Sequence, residues 1–314
     1  MRALLALIGF FVFAAHGQEP AFPQRGPLEI TVLFPAGSSA DVTARMLADG
    51  MSRQLGQKVL VINRPGAGGA IGYKYVQAQK PDGYSLVWNS NSISTTYHSG
   101  QLAFDYRAFD AVARVLVESV VLAVRADARW KSLGDLVAEA KAAPKGISVG
   151  HSGIGSHTHI SLAALFRASG VDVNEVPFGA AQVVPSLVGG HVAAIVQFPA
   201  ALAGPVKQGQ VRLLAALTEN RDPAWPSVPT AREQGFDVAL DAWRGVAAPR
   251  GTPRPVLSAL EGAIRRAVES SEFQKASENL GVRPAFLPAD QFSELISKED
   301  AALSRLMQLI GLKK

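Results

Sequence analysis

The sequence contains no cysteine among its 314 residues. This absence excludes disulfide bonds, thiolate metal sites and a cysteine nucleophile. Charged residues make up only 18% of the chain against 48% hydrophobic residues, which is typical of a globular protein rather than a disordered one. A chain of this length can form two domains with full cores.

Long apolar runs are also absent after the first segment. Ala3–Ala15 is apolar, follows the positive charge of Arg2 and ends at the small-residue sequence Ala15-His16-Gly17, as in a secretory signal peptide. The run is too short for an ordinary spanning helix, and an uncleaved anchor is the alternative interpretation. We therefore predict that residues 1–17 are a signal peptide and that the mature protein is exported and soluble.

Strong charge of one sign is missing as well. The net charge is +5, and loss of residues 1–17 removes Arg2 and no acid, which leaves +4. The basic residues are scattered and form no stripe of the kind that binds nucleic acid. This modest excess can assist the capture of small anions.

Two stretches near the start share one arrangement, in which an apolar strand and a turn of small residues precede a helix. The first is Leu28–Phe34 followed by Pro35–Ala40, and the second is Val59–Ile62 followed by Asn63–Gly69. Small residues let a ligand approach the backbone closely. The first N–H groups of a helix have no partner inside it and carry partial positive charge. The sequence therefore predicts two helix ends that grip a small anion.

Strand-like and helix-like segments alternate along most of the chain, which predicts an α/β fold with largely parallel strands. Val115–Val124 is nearly continuous aliphatic sequence, as in a buried strand. From Pro255 to the end we expect two amphipathic helices separated by a turn near Gly281.

Two buried extended segments, 115–124 and 239–248, are candidate crossings between two lobes. Residues 18–120 and 240–314 would form lobe 1, and residues 121–239 would form lobe 2. Ligands of such folds bind between the domains, beyond the carboxyl ends of the strands.

Ser38 and Asp41 have the spacing of a capping box. In that interpretation Ser38 accepts the N–H of Asp41, while the Asp41 carboxylate reaches back. The alternative is that Asp41 faces the cleft and meets an amine or hydroxyl of the ligand. Its orientation bears on the class of substrate, because a carboxylate facing inward disfavours an all-anionic ligand.

Two motifs favour an enzyme as the alternative class of protein. Gly66–Gly72 is close to a dinucleotide-binding fingerprint, but no clear acid follows at the expected distance. Gly150–Ile154 places Ser152 in a near match to a nucleophile elbow, with isoleucine where glycine is needed. Glycines of a tight turn and a loop hydroxyl explain these motifs more simply, and Ser156 reads as a helix cap.

The histidine pair His157 and His159 does not predict a metal site. Side chains two residues apart on a helix point in nearly opposite directions and cannot share one ion. One of them can line the cleft from the first helical turn. Phe178 is either an apolar wall of the cleft or part of the core.

In combination, short motifs along nearly all of the mature chain resemble the Bug family, the periplasmic solute-binding proteins of tripartite tricarboxylate transporters. They are Phe34-Pro-Ala-Gly37, Asp41, Ala44-Arg45, Asn63–Gly69, Gly72, Pro81-Asp-Gly-Tyr84, Gly190, Val228-Pro-Thr230, Glu233-Gln-Gly235, Trp243-Arg-Gly245 and Ala248–Pro253. The chain departs from the family pattern at Ser38, where a second glycine is usual, at His191, where an acid is common, and at Gln197–Pro199, which lacks a frequent aspartate.

The resemblance implies a type II periplasmic-binding-protein fold, with two α/β lobes, two crossover segments and a ligand cleft between the lobes. It also implies that turns of lobe 1 hold one carboxylate by backbone N–H groups, while turns of lobe 2 set specificity. The candidate ligand-binding residues are Phe34, Ala36, Gly37, Ser38, Ser39, Asp41, Pro65, Gly66, Ala67, Gly68, Gly69, Ser90, Ser152, Gly155, Ser156, His157, Phe178, Gly179 and Phe198.

We therefore expect a periplasmic protein without catalytic activity that captures a small carboxylate, a di- or tricarboxylate or an aromatic acid. Its partners would be the membrane components of a tripartite transporter, and we expect a monomer that uses no metal, cofactor or nucleic acid. Capture would rest on neutral donors and helix ends and would need no buried arginine. Arg64 is a candidate auxiliary cation, and the simpler alternative is a solvent-facing side chain. The alternatives are an exported hydrolase or nucleotide-dependent enzyme, and a ligand sensor for a receptor kinase.

Overall fold

A computed structural model describes residues 22–313. The predicted signal peptide lies outside the described residues. Two separate sheets organise the chain, one of six strands in the order β11-β4-β10-β3-β1-β2 and one of five in the order β7-β6-β8-β5-β9. The strands are β1 Leu28–Val32, β2 Val59–Asn63, β3 Ser85–Ser90, β4 Phe109–Glu118, β5 Val121–Arg125, β6 Ser148–His151, β7 Asn174–Pro177, β8 Ala194–Gln197, β9 Val211–Ala216, β10 Ala242–Pro249 and β11 Arg283–Pro288.

Helices pack against the sheets and form an apolar core on either side of each one. The helices are α1 Ser39–Leu55, α2 Ala70–Gln77, α3 Ser92–His98, α4 Leu133–Ala142, α5 His157–Ala168, α6 Val183–Val188, α7 Pro199–Lys207, α8 Arg254–Glu269, α9 Ser271–Leu280 and α10 Ala289–Leu309. The α/β class predicted from the alternation is confirmed. We call the part built on the six-stranded sheet lobe 1 and the part built on the five-stranded sheet lobe 2.

The prediction of largely parallel strands is wrong in part. β1 pairs in parallel with β2 and β3, and β6 with β7 and β8, but every pairing of β4, β5 and β10 is antiparallel. These three strands carry the chain between the lobes, so they enter each sheet from the opposite direction to the βα units. Val115–Val124 is accordingly not one strand, because β4 ends at Glu118 in one sheet and β5 begins at Val121 in the other.

The C-terminal prediction of two helices also needs correction. The segment contains three helices and one strand, because α8 ends at Glu269, the next residue Ser270 caps α9, and β11 follows the turn at Gly281. β11 was missed because Arg283–Pro288 contains two prolines, which are rare inside strands. At a sheet edge these prolines are tolerated, and β11 pairs only with β4 among the described strands.

Candidate functional site

The N-termini of α1 in lobe 1 and α5 in lobe 2 line one buried cavity between the two sheets. We call this the inner cavity. The space between its walls, with the open mouth included, amounts to about 370 Å³. Its walls are Phe34, Ser38, Ser39, Ala40, Ser90, Ser92, Ser152, Ser156, His157, Thr158, Ala180, Gln197, Phe198, Ala242 and Arg244.

At α1, the side chain of Ser38 caps the helix. Its Oγ accepts the N–H of Asp41 over 3.3 Å, as the capping interpretation predicted. The next N–H, that of Val42, bonds back to the carbonyl of Ser38. Among the described residues no acceptor meets the N–H groups of Ser39 and Ala40, which line the cavity.

The start of α5 repeats this arrangement from the opposite lobe. Ser156 Oγ accepts the N–H of His159 over 3.3 Å, and Ile160 bonds back to the Ser156 carbonyl. The N–H groups of His157 and Thr158 meet no acceptor in the described part of the chain. Two helix N-termini, each with partial positive charge and two free donors, therefore converge on one space, which favours an anion.

A buried ion pair forms part of the lobe 1 wall. Arg244 Nε donates to Glu118 Oε2 over 2.7 Å, and the two side chains are 3% and 0% exposed. Ser39 Oγ donates to the other carboxylate oxygen of Glu118. The guanidinium also lies over the ring of Phe198, with 4.8 Å between its central carbon and the ring centroid. Arg244 thus presents a fixed cation to the cavity while Glu118 has both oxygens engaged.

The imidazole of His157 lies in the lobe 2 wall and is only 4% exposed. Its Nε2 lies 3.3 Å from the carbonyl oxygen of Leu240, and its ring stacks on Phe198 with 6.3 Å between centroids. Burial, followed by the positive charge of Arg244, lowers the pKa of His157 to about 4 despite the hydrogen bond to Leu240. The ring is therefore neutral at ordinary pH.

Uncharged groups complete the lobe 2 wall. Gln197 Nε2 donates to Ser152 Oγ over 3.1 Å, and the N–H of Ser152 donates to Thr158 Oγ1 over 2.9 Å. Ser152 Oγ thus bonds to an amide rather than to a histidine base, whereas a serine nucleophile needs an adjacent base. These contacts position polar groups and do not resemble a catalytic triad.

A second, wider space adjoins the inner cavity and shares Phe34, Ser152 and Ala180 with it. We call it the outer cleft. Its glycine-rich turn adopts conformations that only glycine tolerates, with φ of 132° at Gly66 and 114° at Gly69. The outer cleft is lined by Phe34, Pro35, Pro65, Gly66, Ala67, Gly68, Gly69, Ser152, Gly153, Phe178, Gly179, Ala180, Ala181 and Gln182.

The candidate residues separate into three groups in the structure. The inner cavity contains Phe34, Ser38, Ser39, Ser90, Ser152, Ser156, His157 and Phe198. The outer cleft contains Pro65, Gly66, Ala67, Gly68, Gly69, Phe178 and Gly179. Neither space is lined by Ala36, Gly37, Asp41 or Gly155. The turn before α1 and the glycine-rich turn thus meet in the outer cleft through Phe34 and Pro35, whereas α5 faces α1 across the inner cavity.

Asp41 points away from both spaces. Its carboxylate accepts the N–H of Gly37 over 3.0 Å and Asn63 Nδ2 over 2.9 Å, and it pairs with Arg45 over 2.8 Å. Burial disfavours its charge, but hydrogen bonds from Arg45, Gly37 and Asn63 outweigh burial and lower the pKa of Asp41 below its ordinary value. Asp41 thus stabilises the turn before α1, but its carboxylate reaches back to the N–H of Gly37 and not to that of Ser38, which bonds to the carbonyl of Pro35, so the capping box is only half formed.

The predicted cation also lies elsewhere. Arg64 pairs with Glu29 over 3.4 Å and lies 3.5 Å over the ring of Tyr75, and it lines neither space. A buried arginine outside the candidate set, Arg244, lines the inner cavity instead. The signal was present in Trp243-Arg-Gly245, a charged residue within an otherwise apolar strand. Glu118, its partner, ends the apolar run of β4.

Beneath the lobe 2 loop, His151, His159 and Glu175 form a cluster with potential ligand atoms within 4.8 Å of one another. The N–H of Gly155 donates to His159 Nδ1 over 3.1 Å, so Nε2 carries the proton and donates to Glu175 over 3.1 Å. Both nitrogens of His159 are engaged in hydrogen bonds that order the loop before α5. This arrangement fits a structural role better than metal binding.

Two α/β lobes on separate sheets, joined by crossing strands around a polar cavity, define a two-lobed periplasmic solute-binding protein. The family model described as "Tripartite tricarboxylate transporter family receptor" matches residues 43–312. The chain belongs to this family, whose members are transport receptors rather than a class of enzymes. In the described part of the chain, no helix combines the length and apolarity that a membrane crossing requires.

Individual relatives agree with this assignment. Protein BugT of Bordetella pertussis is 32% identical over 324 residues, which cover 100% of this chain and 99% of BugT. The structure of the periplasmic binding protein BugD is 27% identical, with a TM-score of 0.86 over 92% of this chain and 99% of BugD. MatC from Rhodopseudomonas palustris with bound malate is 28% identical, with a TM-score of 0.83 over 91% of this chain and 99% of MatC.

Proposed function

We propose that this receptor captures a small carboxylate in the periplasm, as a monomer, and delivers it to the membrane components of a tripartite transporter. The observation that carries the proposal is the convergence of α1 and α5 on the inner cavity. Ser39, Ala40, His157 and Thr158, whose N–H groups meet no acceptor among the described residues, line one space together with Arg244. The structure of MatC with malate supports a carboxylate as the class of solute.

The interactions are of sufficient magnitude. A charge at a helix end contributes about 0.3–1 kcal/mol, and up to about 2 kcal/mol when partly buried. A hydrogen bond to a charged group contributes roughly 1.5–3 kcal/mol. Micromolar binding requires about 8 kcal/mol, which a few such contacts supply for a ligand of about ten heavy atoms.

Closure of the lobes is part of the proposal. Lobe 1 would comprise residues 18–120 and 240–314, and lobe 2 residues 121–239, with hinges at the two crossings. Donors from both lobes line the same cavity, so a ligand that contacts both stabilises the closed form. Small-angle scattering of the protein with and without a tightly bound acid tests this step. We expect a smaller radius of gyration with the acid, and identical profiles would contradict closure.

The identity of the solute class is tested by native mass spectrometry of the purified protein, followed by a thermal-shift screen of carboxylic acids. Binding to the folded state raises the melting temperature by mass action. We expect at least one small carboxylate to do so. A complete screen without any shift would contradict the proposal.

The contribution of the outer cleft is tested by Gly66→Asp, with Gly66→Ala as its matched control. The φ of 132° disfavours any side chain here, and a Cβ would lie 2.4 Å from Ile71 Cδ1, so the two variants share the same backbone strain and the same contact. The aspartate adds negative charge beside the entering anion, and we expect it to abolish the thermal shift. Gly66→Ala should retain part of it. Equal shifts in both variants would exclude an anion path along this turn.

A further inference from the structure

One nitrogen of His157, a residue that lines the inner cavity, meets no hydrogen-bond partner among the described residues. Nδ1 of His157 is buried and meets no donor or acceptor among the described residues. The other nitrogen, Nε2, lies 3.3 Å from the Leu240 carbonyl oxygen, which can only accept. Nε2 therefore carries the proton of the neutral ring, and Nδ1 presents a lone pair. A buried acceptor without a donor is costly, and a ligand that supplies a donor would remove that cost.

We infer that the solute carries a hydroxyl group that donates to Nδ1 of His157, in addition to the carboxylate held by the helix ends. This inference rests on the proposed function and narrows it to hydroxylated acids. His157 would then be a specificity-determining residue of lobe 2. Its side chain lines the same cavity as the free N–H groups of α1 and α5, so one small molecule can reach both.

The charges around the cavity favour a hydroxyl over an ammonium group as the donor. None of the residues that line the inner cavity is Asp or Glu. Glu118 does not line the cavity, and its two carboxylate oxygens accept hydrogen bonds from Ser39 and Arg244. The Arg244 guanidinium and the positive end of α5 both repel a second cation. An ammonium group would therefore be buried without a counter-ion, which is unfavourable.

A second carboxylate at this position is also disfavoured. A carboxylate can only accept hydrogen bonds, and its lone pairs would face the lone pair of Nδ1. Protonation of His157 would relieve this conflict, but the ring is buried beside Arg244 and next to the apolar face of Phe198. A hydroxyl avoids this conflict because it donates its proton while leaving the ring neutral.

The test uses sets of acids that share one carbon skeleton and differ only in the donor. Succinate, malate and aspartate form the first set; glutarate, 2-hydroxyglutarate and glutamate form the second; 3-phenylpropionate, 3-phenyllactate and free phenylalanine form the third. Affinities are measured by isothermal titration calorimetry on the mature protein. Within the sets that bind, we expect the hydroxy acid to bind about tenfold more tightly than the unsubstituted acid, and the amino acid to bind most weakly.

Variants of His157 separate specificity from structure. His157→Phe keeps a ring on Phe198 but removes the acceptor, and it should reduce the hydroxy acid to the affinity of the unsubstituted acid. His157→Asn offers an amide oxygen close to the position of Nδ1 and should retain part of the preference. Should His157→Phe fail to fold, His157→Gln can still donate to Leu240 without an acceptor at Nδ1, and it should show the same loss. The exposed His191 supplies the control, because His191→Ala should keep the full preference.

The outcomes are distinguishable. If unsubstituted acids bind as tightly as hydroxy acids, or amino acids bind most tightly, the inference fails while the proposed function stands. If His157→Phe weakens all three members of a set equally, His157 has only a structural role and the inference fails. If no acid of any set binds and the wider thermal-shift screen finds none either, the proposed function fails and the inference falls with it. If that screen finds only acids without a hydroxyl group, the inference fails alone.

Discussion

The two walls of the inner cavity differ in charge, although each contains the N-terminus of a serine-capped helix. On lobe 1 the wall contains the buried ion pair of Glu118 and Arg244, bonded in turn to Ser39. On lobe 2 the wall contains neutral groups, among them Gln197 and His157. Both walls place two free N–H groups at the start of a serine-capped helix.

This difference indicates a division of labour. The backbone donors on both walls suit any carboxylate, because they recognise charge and not the rest of the molecule. The ion pair of lobe 1 orients a cation toward that charge. Lobe 2 offers directional, uncharged groups, which discriminate between solutes through donors and acceptors that must be matched. Anion capture would then depend mainly on lobe 1 and selectivity on lobe 2.

The largest effect should come from neutralising the ion pair. Glu118→Gln keeps the shape of the side chain but leaves the buried charge of Arg244 uncompensated, which costs about 3–5 kcal/mol. Gln197→Met is the matched change on the neutral wall and removes the hydrogen bonds to Ser152 and Phe198. We expect it to cost only about 1–3 kcal/mol. Urea denaturation of both variants measures the difference, and equal losses would contradict a charged lobe 1 wall.

A smaller effect, confined to binding, should follow from removing one free N–H group. Ser39 is the first residue of α1, and Ser38 before it is extended, with φ −73° and ψ 160°, so proline is compatible with the backbone. Ser39→Pro removes both the N–H and the hydroxyl, whereas Ser39→Ala removes the hydroxyl alone. We expect Ser39→Pro to bind the best acid of the screen about tenfold more weakly than Ser39→Ala in calorimetric titration.

The control for Ser39→Pro is the same change at the start of a helix far from the cavity. Ser271 is the exposed first residue of α9 and follows an extended cap at Ser270. Ser271→Pro should leave the affinity unchanged. If Ser39→Pro and Ser39→Ala bind equally well, the N–H of Ser39 does not contact the carboxylate.

The smallest effect concerns the pH dependence of stability, through the buried carboxyl of Glu299. This residue holds side chains next to the lobe 1 wall of the cavity. The Glu299 carboxyl accepts hydrogen bonds from Trp243 Nε1 over 2.6 Å and from Asn91 Nδ2 over 2.7 Å. Trp243 and Asn91 directly precede Arg244 and Ser92, which line the inner cavity. Burial raises the pKa of Glu299 to about 7, against the lowering effect of the hydrogen bond from Trp243. Between about pH 4.5 and about pH 7, Glu299 therefore keeps its proton in the folded state but has released it in the unfolded state.

The sign of the pH dependence follows from that raised pKa. The stabilisation is fully present below the unfolded pKa of about 4.5 and is lost as pH rises through about 7. Glu299→Gln cannot lose a proton, so its melting temperature relative to the parent should rise by a few degrees between about pH 5 and about pH 8. The pKa values of His151 and His157 are lowered to about 4, so these residues also make stability depend on pH. Because both residues are present in the parent and in the variant, their contribution cancels in the difference between the two melting temperatures. A constant difference across this range would contradict a titrating Glu299.

Much of the fold could be predicted because the signals are local. The strand, turn and helix start around residues 28–41 and 59–70 appear in the structure as predicted, since small residues and serine caps act within a few positions. The boundary between β4 and β5 could not be predicted, because Ser119 and Val120 are as buried as their neighbours. The residue types between β4 and β5 therefore give no sign that the chain leaves one sheet and enters the other.

The sequence by itself determined the α/β class, the two helix ends near the start and the serine caps, because each depends on residues a few positions apart. Only the tertiary structure decided that α5 rather than α2 faces α1 across the inner cavity. It also decided that Arg244 pairs with Glu118, 126 positions away, and that His157 is left with an unpartnered nitrogen. These outcomes depend on how two sheets approach each other. Which side chains are buried or paired between the two sheets depends on the packing of both lobes, so no single segment of the sequence determines it.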